Sequence, residues 1–138
     1  MKAIVITVLA LIISACGSSN DESIMPSLKA SALDTVPQWS EYQVALVVKI
    51  TARHLKEMDS VLLEADKKGD RAAALSLYDP LIHTLQTWND HQSTPGVPKY
   101  RDCILAIVNL SDAVTSVANG GRYNNRDRFQ KSLSGCNP

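Results

Sequence analysis

The chain has no excess of charge of either sign: 14 basic residues face 14 acidic ones in 138. They are spread along the sequence, so no basic field is available to draw in nucleic acid, and no acidic block stands out. Catalytic signatures are missing too. There is no G-x-S-x-G, no glycine loop that would cradle phosphate, no H-E-x-x-H and no S-x-x-K. There is no Cys-x-x-Cys-His to attach haem. No apolar run is long enough to span a bilayer. The longest, from Ala3 to Ala15, is thirteen residues, about 20 Å as a helix against about 30 Å of hydrocarbon. No alternation of apolar and polar residues of the kind strands need competes with helical spacing after Cys16.

The apolar run has a specific setting. Met1-Lys2 supplies a positive end, and the run closes on the small residues Ser14 and Ala15 before Cys16. A charged start, a short apolar core and small residues before a cut are the parts of a secretory signal. Ile13-Ser14-Ala15-Cys16 resembles the lipobox of bacterial lipoprotein precursors. That resemblance implies a leader over 1–15, a diacylglycerol on the Cys16 thiol and, after cleavage, acylation of the new amino group. Two or more chains hold a protein stably on a membrane, at about 0.8 kcal/mol per buried CH₂. Gly17, rather than an acidic residue, follows the cysteine. By resemblance to enterobacterial lipoproteins this favours the outer membrane, facing the periplasm, over retention at the inner one; a Gram-positive cell-surface lipoprotein is the alternative.

Cleavage before Cys16 leaves 123 residues, one domain's worth, with 13 basic and 14 acidic groups once Lys2 is lost. If lipid consumes Cys16, then Cys103 and Cys136 remain as a pair, and an oxidising compartment lets them bond. Segment 16–36 is rich in Ser, Asp and Ala, carries Pro26 and lacks an apolar period, so it reads as a lipidated flexible linker. A coil of 20 residues spans about 25 Å.

The domain is expected over 37–138. Ser40-x-x-Gln43 is a capping-box pattern flanked by Trp39 and Val44. Val44, Val48, Thr51, Leu55, Met58, Leu62 and Ala65 then mark one helical stripe, stopped by Lys67-Lys68-Gly69. Asp70 is placed to cap a second helix with the stripe Ala74, Tyr78, Leu81, Leu85 and Trp88. Asp79-Pro80 predicts a kink there, or a break with Asp79 as a new cap. A loop covers 89–98. A third helix follows over 98–119, on Tyr100, Cys103, Ile107, Leu110, Val114 and Val117, widened by Ile104 and Val108. Gly120-Gly121 ends it, and a short fourth helix over 123–134 carries Phe129 and Leu133. Gly135 is expected to close that helix.

Short links make neighbouring helices antiparallel, so the expected fold is an all-α, up-down bundle of about four helices. Folded at Gly120, it brings Cys103, 17 residues before, level with Cys136, 16 residues after. This geometry predicts a Cys103–Cys136 disulfide that pins the last helix.

Other chemistry is thinner. The outline is similar to that of soluble b-type cytochromes, which ligate haem with a Met on the first helix and a His on the last. Here His54 and Met58 are on the first helix and the last helix has neither, so no cofactor is expected. Asp79 and His83 at i, i+4 are only two ligands, too few for a metal site. Arg122, Tyr123, Arg126 and Arg128 form a cluster of types favoured at protein contacts. They are a candidate partner surface, with a polar turn and a capped helix as the plainer alternative. The loop with Trp88, His91 and Tyr100 is a second candidate. The sequence therefore points to a non-catalytic, lipid-anchored helical protein that binds a protein or envelope component. The alternative is a carrier of a small apolar ligand between its helices.

Overall fold

The computed structural model describes residues 38–138. The leader, Cys16 and the linker lie outside this range, as does the lipid attachment expected at Cys16.

The first helix, α1, spans Glu41–Lys68 and starts where local chemistry dictates. Ser40 Oγ accepts from the Gln43 amide at 3.3 Å, and the Ser40 amide donates to Gln43 Oε1 at 2.8 Å. Two of the amides that a helix start leaves unbonded are thereby satisfied. Trp39 and Val44, flanking the cap, are both buried. Every residue of the expected α1 stripe is buried. The helix ends in a Schellman motif: Gly69 (φ 65°) donates to Asp66 O, and Asp70 donates to Ala65 O.

Asp70 caps α2, Arg71–Leu75, by accepting from the Ala73 amide at 3.0 Å. The interruption expected near Pro80 is a break, but it falls upstream of the Asp79-Pro80 pair. Helix α3 spans Tyr78–Asp90, with Leu77 at its cap position and no side-chain cap, so Asp79 does not serve as the cap. Proline has no N–H to give to the carbonyl four residues back, Ser76, and its ring crowds that carbonyl. The chain therefore breaks at Ser76–Leu77. Pro80 then sits within the first turn of the new helix, where amides have no intrahelical acceptor anyway.

After α3 the chain turns through 91–96 into a 3₁₀ turn, Val97–Tyr100, which leads directly into α4, Arg101–Ala118. Helix α4 also ends in a Schellman motif: Gly120 (φ 84°) donates to Val117 O and Gly121 to Ser116 O. The last helix, α5, spans Arg126–Gly135.

Helix α4 is the hub, packing against α1, α2, α3 and α5. Its buried face includes Cys103, Ala106, Ile107, Leu110, Ala113, Val114 and Val117. The expected widening through Val108 does not occur; Val108 is exposed, and the small residues Ala106 and Ala113 are buried instead. A helix surrounded by four others needs close backbone approach more than bulk at its flanks. The beginning of α1 meets the end of α3, where the Trp39 and Trp88 rings pack edge to face at 5.8 Å. Trp88 Nε1 donates to Thr51 Oγ1 at 3.0 Å, which satisfies the indole inside the core. Between the helices, Trp88, Phe129, Leu55, Met58, Leu62, Leu81, Ile107 and Leu110 are the largest fully buried side chains. The result is an all-α antiparallel bundle stapled by the Cys103–Cys136 disulfide, with a Cα–Cα distance of 4.5 Å. No strand occurs among the described residues.

Gly135 ends α5 as expected and has a second role. It is the last residue of α5, and a Cβ there would run into the Asp102 side chain of α4. The glycine lets α5 lie close on α4 immediately before the disulfide.

Candidate functional site

The Arg/Tyr cluster at the α4–α5 turn is organised by a residue that the sequence pattern does not single out. Asp59 lies on α1 and is buried among apolar neighbours, at 4% exposure. Its Oδ1 accepts from the Tyr123 hydroxyl at 2.8 Å and from Arg126 Nε at 3.2 Å. Its Oδ2 accepts from Arg126 Nη2 at 2.8 Å and from Gln130 Nε2 at 2.8 Å. A buried carboxylate is tolerated only when its oxygens are satisfied in this way. Burial first, and then the hydrogen bond to Asp59, push the Tyr123 hydroxyl pKa well above the usual phenol range. The hydrogen bond to Asp59 also raises the Arg126 pKa.

Helix α5 begins at Arg126 and not at 123; Tyr123 stands in the turn before it and is turned inward, at 8% exposure. A contact surface on the outside of this turn therefore excludes Tyr123. Arg126 is half-buried by its ion pair with Asp59. Arg122 lies 3.0 Å through Nε from Asp66 Oδ1, with its own side chain 70% exposed. Arg128 is exposed. Asp59 stands beside Met58, one step off the expected apolar line of α1, so that line gave no signal for it.

The second candidate surface is also partly internal. His91 stacks on Trp39, with ring centroids 3.9 Å apart and planes 3° from parallel, and its Nδ1 lies 2.8 Å from Thr87 O. Tyr100 and Trp88 are buried. Met58 is packed in the core. His54 is buried on the same helix, and neither ring nitrogen has a hydrogen-bond partner. Desolvation lowers its pKa, outweighing the nearby Glu57 carboxylate. Asp79 is exposed in the first turn of α3 and His83 is half-buried. Among the described residues no three His, Cys, Asp or Glu side chains are grouped to hold a metal ion. None of the described helices is long and apolar enough to cross a membrane.

Several clefts open on the surface of the described residues. One, of about 570 Å³, lies beside the start of α1 and is lined by Gln38, Trp39, Glu41, Gln43, Pro95 and Gly96 among others. A cleft of about 340 Å³ runs between α1 and α2 past Val61, Ala65 and Ala73. A third, about 330 Å³, lies between the end of α1 and the α4–α5 turn, and is walled by Lys67, Lys68, Arg71 and Arg122 with Asp66. No family model matches the chain, and neither curated proteins nor solved structures show a significant match.

Proposed function

We propose that the chain is an exported lipoprotein, anchored through lipid on Cys16, whose helical bundle binds a protein or envelope component without catalysing a reaction. The observation that carries the anchor is the Ile13-Ser14-Ala15-Cys16 spacing behind a charged start and a short apolar run. The geometry of the bundle supports the binding role. The linker leads into the bundle at Gln38, beside the first residue of α1, which then runs for 28 residues, about 42 Å. The end of α1 and the α4–α5 turn thus lie at the opposite end of the bundle from Gln38. In the proposed setting, that end faces away from the membrane. The space between the helices is filled by Trp88, Phe129, Leu55, Met58 and Ile107, which supports recognition at the surface over an apolar ligand carried within the bundle.

Two measurements test this reading. Intact mass of the mature protein is expected to begin at an acylated Cys16, and Cys16→Ser is expected to leave the membrane fraction. An unacylated chain that keeps its leader overturns the anchor. Crosslinking from the far end of the bundle, in the native membrane, is expected to capture a defined partner that Cys16→Ser loses.

A further inference from the structure

The outward face of α1 changes character along its length. One line of residues runs down it at three- and four-residue spacing. The line opens with Tyr42 and Leu46, continues as Lys49, Arg53 and Lys56, and ends as Ser60 and Glu64. All of these residues are exposed, and Tyr42 stands 79% in solvent. A single exposed tyrosine or leucine is ordinary. Here two lie one turn apart, at the end of the helix where the linker enters, and cations follow them directly.

Those cations are not balanced. Arg53 Nε lies 4.0 Å from Glu57 Oε1, a loose pair in water. Lys49 and Lys56 have no carboxylate within 4.0 Å among the described residues. The first acid on the line itself is Glu64, about two turns beyond Lys56, and Lys68 holds it at 3.0 Å. The near half of the line is therefore apolar and then positive, and the far half is polar and neutralised.

The linker decides what this face meets. Gln38 is four residues from Tyr42, and 22 residues from Cys16. A segment of that length reaches no further than about 75 Å fully extended. A bilayer holding the lipid on Cys16 thus stays close to the line, and a contact too weak to hold a free protein becomes populated. Apolar groups with lysine and arginine beside them suit a membrane interface: the apolar groups enter the headgroup boundary while the cations reach phosphate. Two apolar side chains are too few for the buried centre of a stable protein interface, which covers about 800 Å² a side.

We propose that the first four turns of α1 make a second membrane contact beside the lipid. Tyr42 and Leu46 sit among the headgroups of a bilayer containing anionic phospholipid, and Lys49, Arg53 and Lys56 lie against its phosphates. The attraction stops where the line turns to Ser60 and Glu64, so the far half of α1 slopes away from the bilayer with the α4–α5 turn. The inference rests on the reading of Cys16 as a lipid anchor, and adds that the bundle is oriented as well as held.

The test places the acylated mature protein in vesicles of phosphatidylcholine, with and without phosphatidylglycerol. An apolar, environment-sensitive fluorophore is attached at Leu46→Cys or at Ser60→Cys. Quencher-bearing lipid reports contact, and flotation of the vesicles reports the anchor. Quenching is expected at 46 and not at 60 in the anionic vesicles, and at neither in the neutral ones. The ratio of seated to free bundles, read from the quenched fraction, is expected to fall about fivefold with Lys49→Gln and again with Lys56→Gln. Both variants change exposed side chains, and thermal melting checks that the fold is kept. Equal quenching at 46 and 60, none at 46 in anionic vesicles, or quenching indifferent to lipid charge overturns the proposal. So does a label at 46 that is shielded in native membranes but not in vesicles, which assigns the face to a protein. Protein that floats without quenching keeps the anchor and loses the contact; protein that does not float loses the anchor, and the contact with it.

Discussion

The Tyr123 hydroxyl donates to Asp59 Oδ1 across 2.8 Å, joining residues 64 apart in the chain. This bond ties the middle of α1 to the turn before α5. With Arg126 and Gln130 on the same carboxylate, it holds the start of α5 as the disulfide holds its end. A ten-residue helix would be marginal alone; here it is fastened at both ends.

Removing the carboxylate is therefore expected to cost more than removing the phenol. Tyr123→Phe loses one hydrogen bond to a charged group, about 1.5–3 kcal/mol. Asp59→Ala strands a buried hydroxyl and a guanidinium, at about 2–4 kcal/mol. That is below the top of the range for severed buried pairs, because half-buried Arg126 regains water. Urea unfolding of both single variants and the double checks this. The double variant is expected to lose less than the sum of the singles.

Opening the staple is expected to loosen α5 first. The bridge closes a loop of 33 residues' separation, and its loss by Cys103→Ser with Cys136→Ser costs about 3–4 kcal/mol in the loop-entropy account. Hydrogen exchange is expected to speed up across 126–135 before it does so in α1 or α4.

Gly135→Ala is expected to destabilise, although alanine is the better helix former by about 1 kcal/mol. The added methyl meets the Cβ and carboxyl of Asp102, and overpacking of this kind costs about 1–3 kcal/mol. Gly135→Ala combined with Asp102→Gly is expected to recover most of the loss in thermal melting.

His54 makes stability depend on pH in a stated direction. Burial lowers its pKa in the folded chain below the ordinary histidine value of 6.5. Below about pH 6.5 the unfolded chain takes up a proton that the folded chain refuses. Stability is thus highest above that pH and falls as pH drops from there through the folded pKa. In His54→Leu that part of the pH dependence is expected to vanish, with no loss at neutral pH, since neither ring nitrogen is bonded. Denaturation curves between pH 5 and 8 decide it; an unchanged slope removes the assignment.

The parts of the fold legible from residues alone were those settled within one helical turn. The Ser40–Gln43 box, the Gly69 stop, the Asp70 cap and the α1 stripe depend on neighbours three or four positions away. The pairing of Cys103 with Cys136 was legible because the turn at Gly120 folds the last segment back along α4, although α5 is shorter than an equal rise of the two arms assumes. The candidate site was less legible. Arg122, Tyr123 and Arg126 stood out by type, but their partners did not, because Asp59, which turns Tyr123 inward and pairs with Arg126, and Asp66, which pairs with the exposed Arg122, lie far off on α1.

Local hydrogen bonding and apolar spacing thus determined where most helices start and stop and which face each one buries. Tertiary packing alone decided that α4 lies at the centre, that Tyr123 turns inward to Asp59, and that Arg71 reaches Gly120. The physical reason is range. A cap is satisfied by amides already at hand, whereas a buried carboxylate or an unpaired guanidinium takes its place from whatever the folded chain brings beside it.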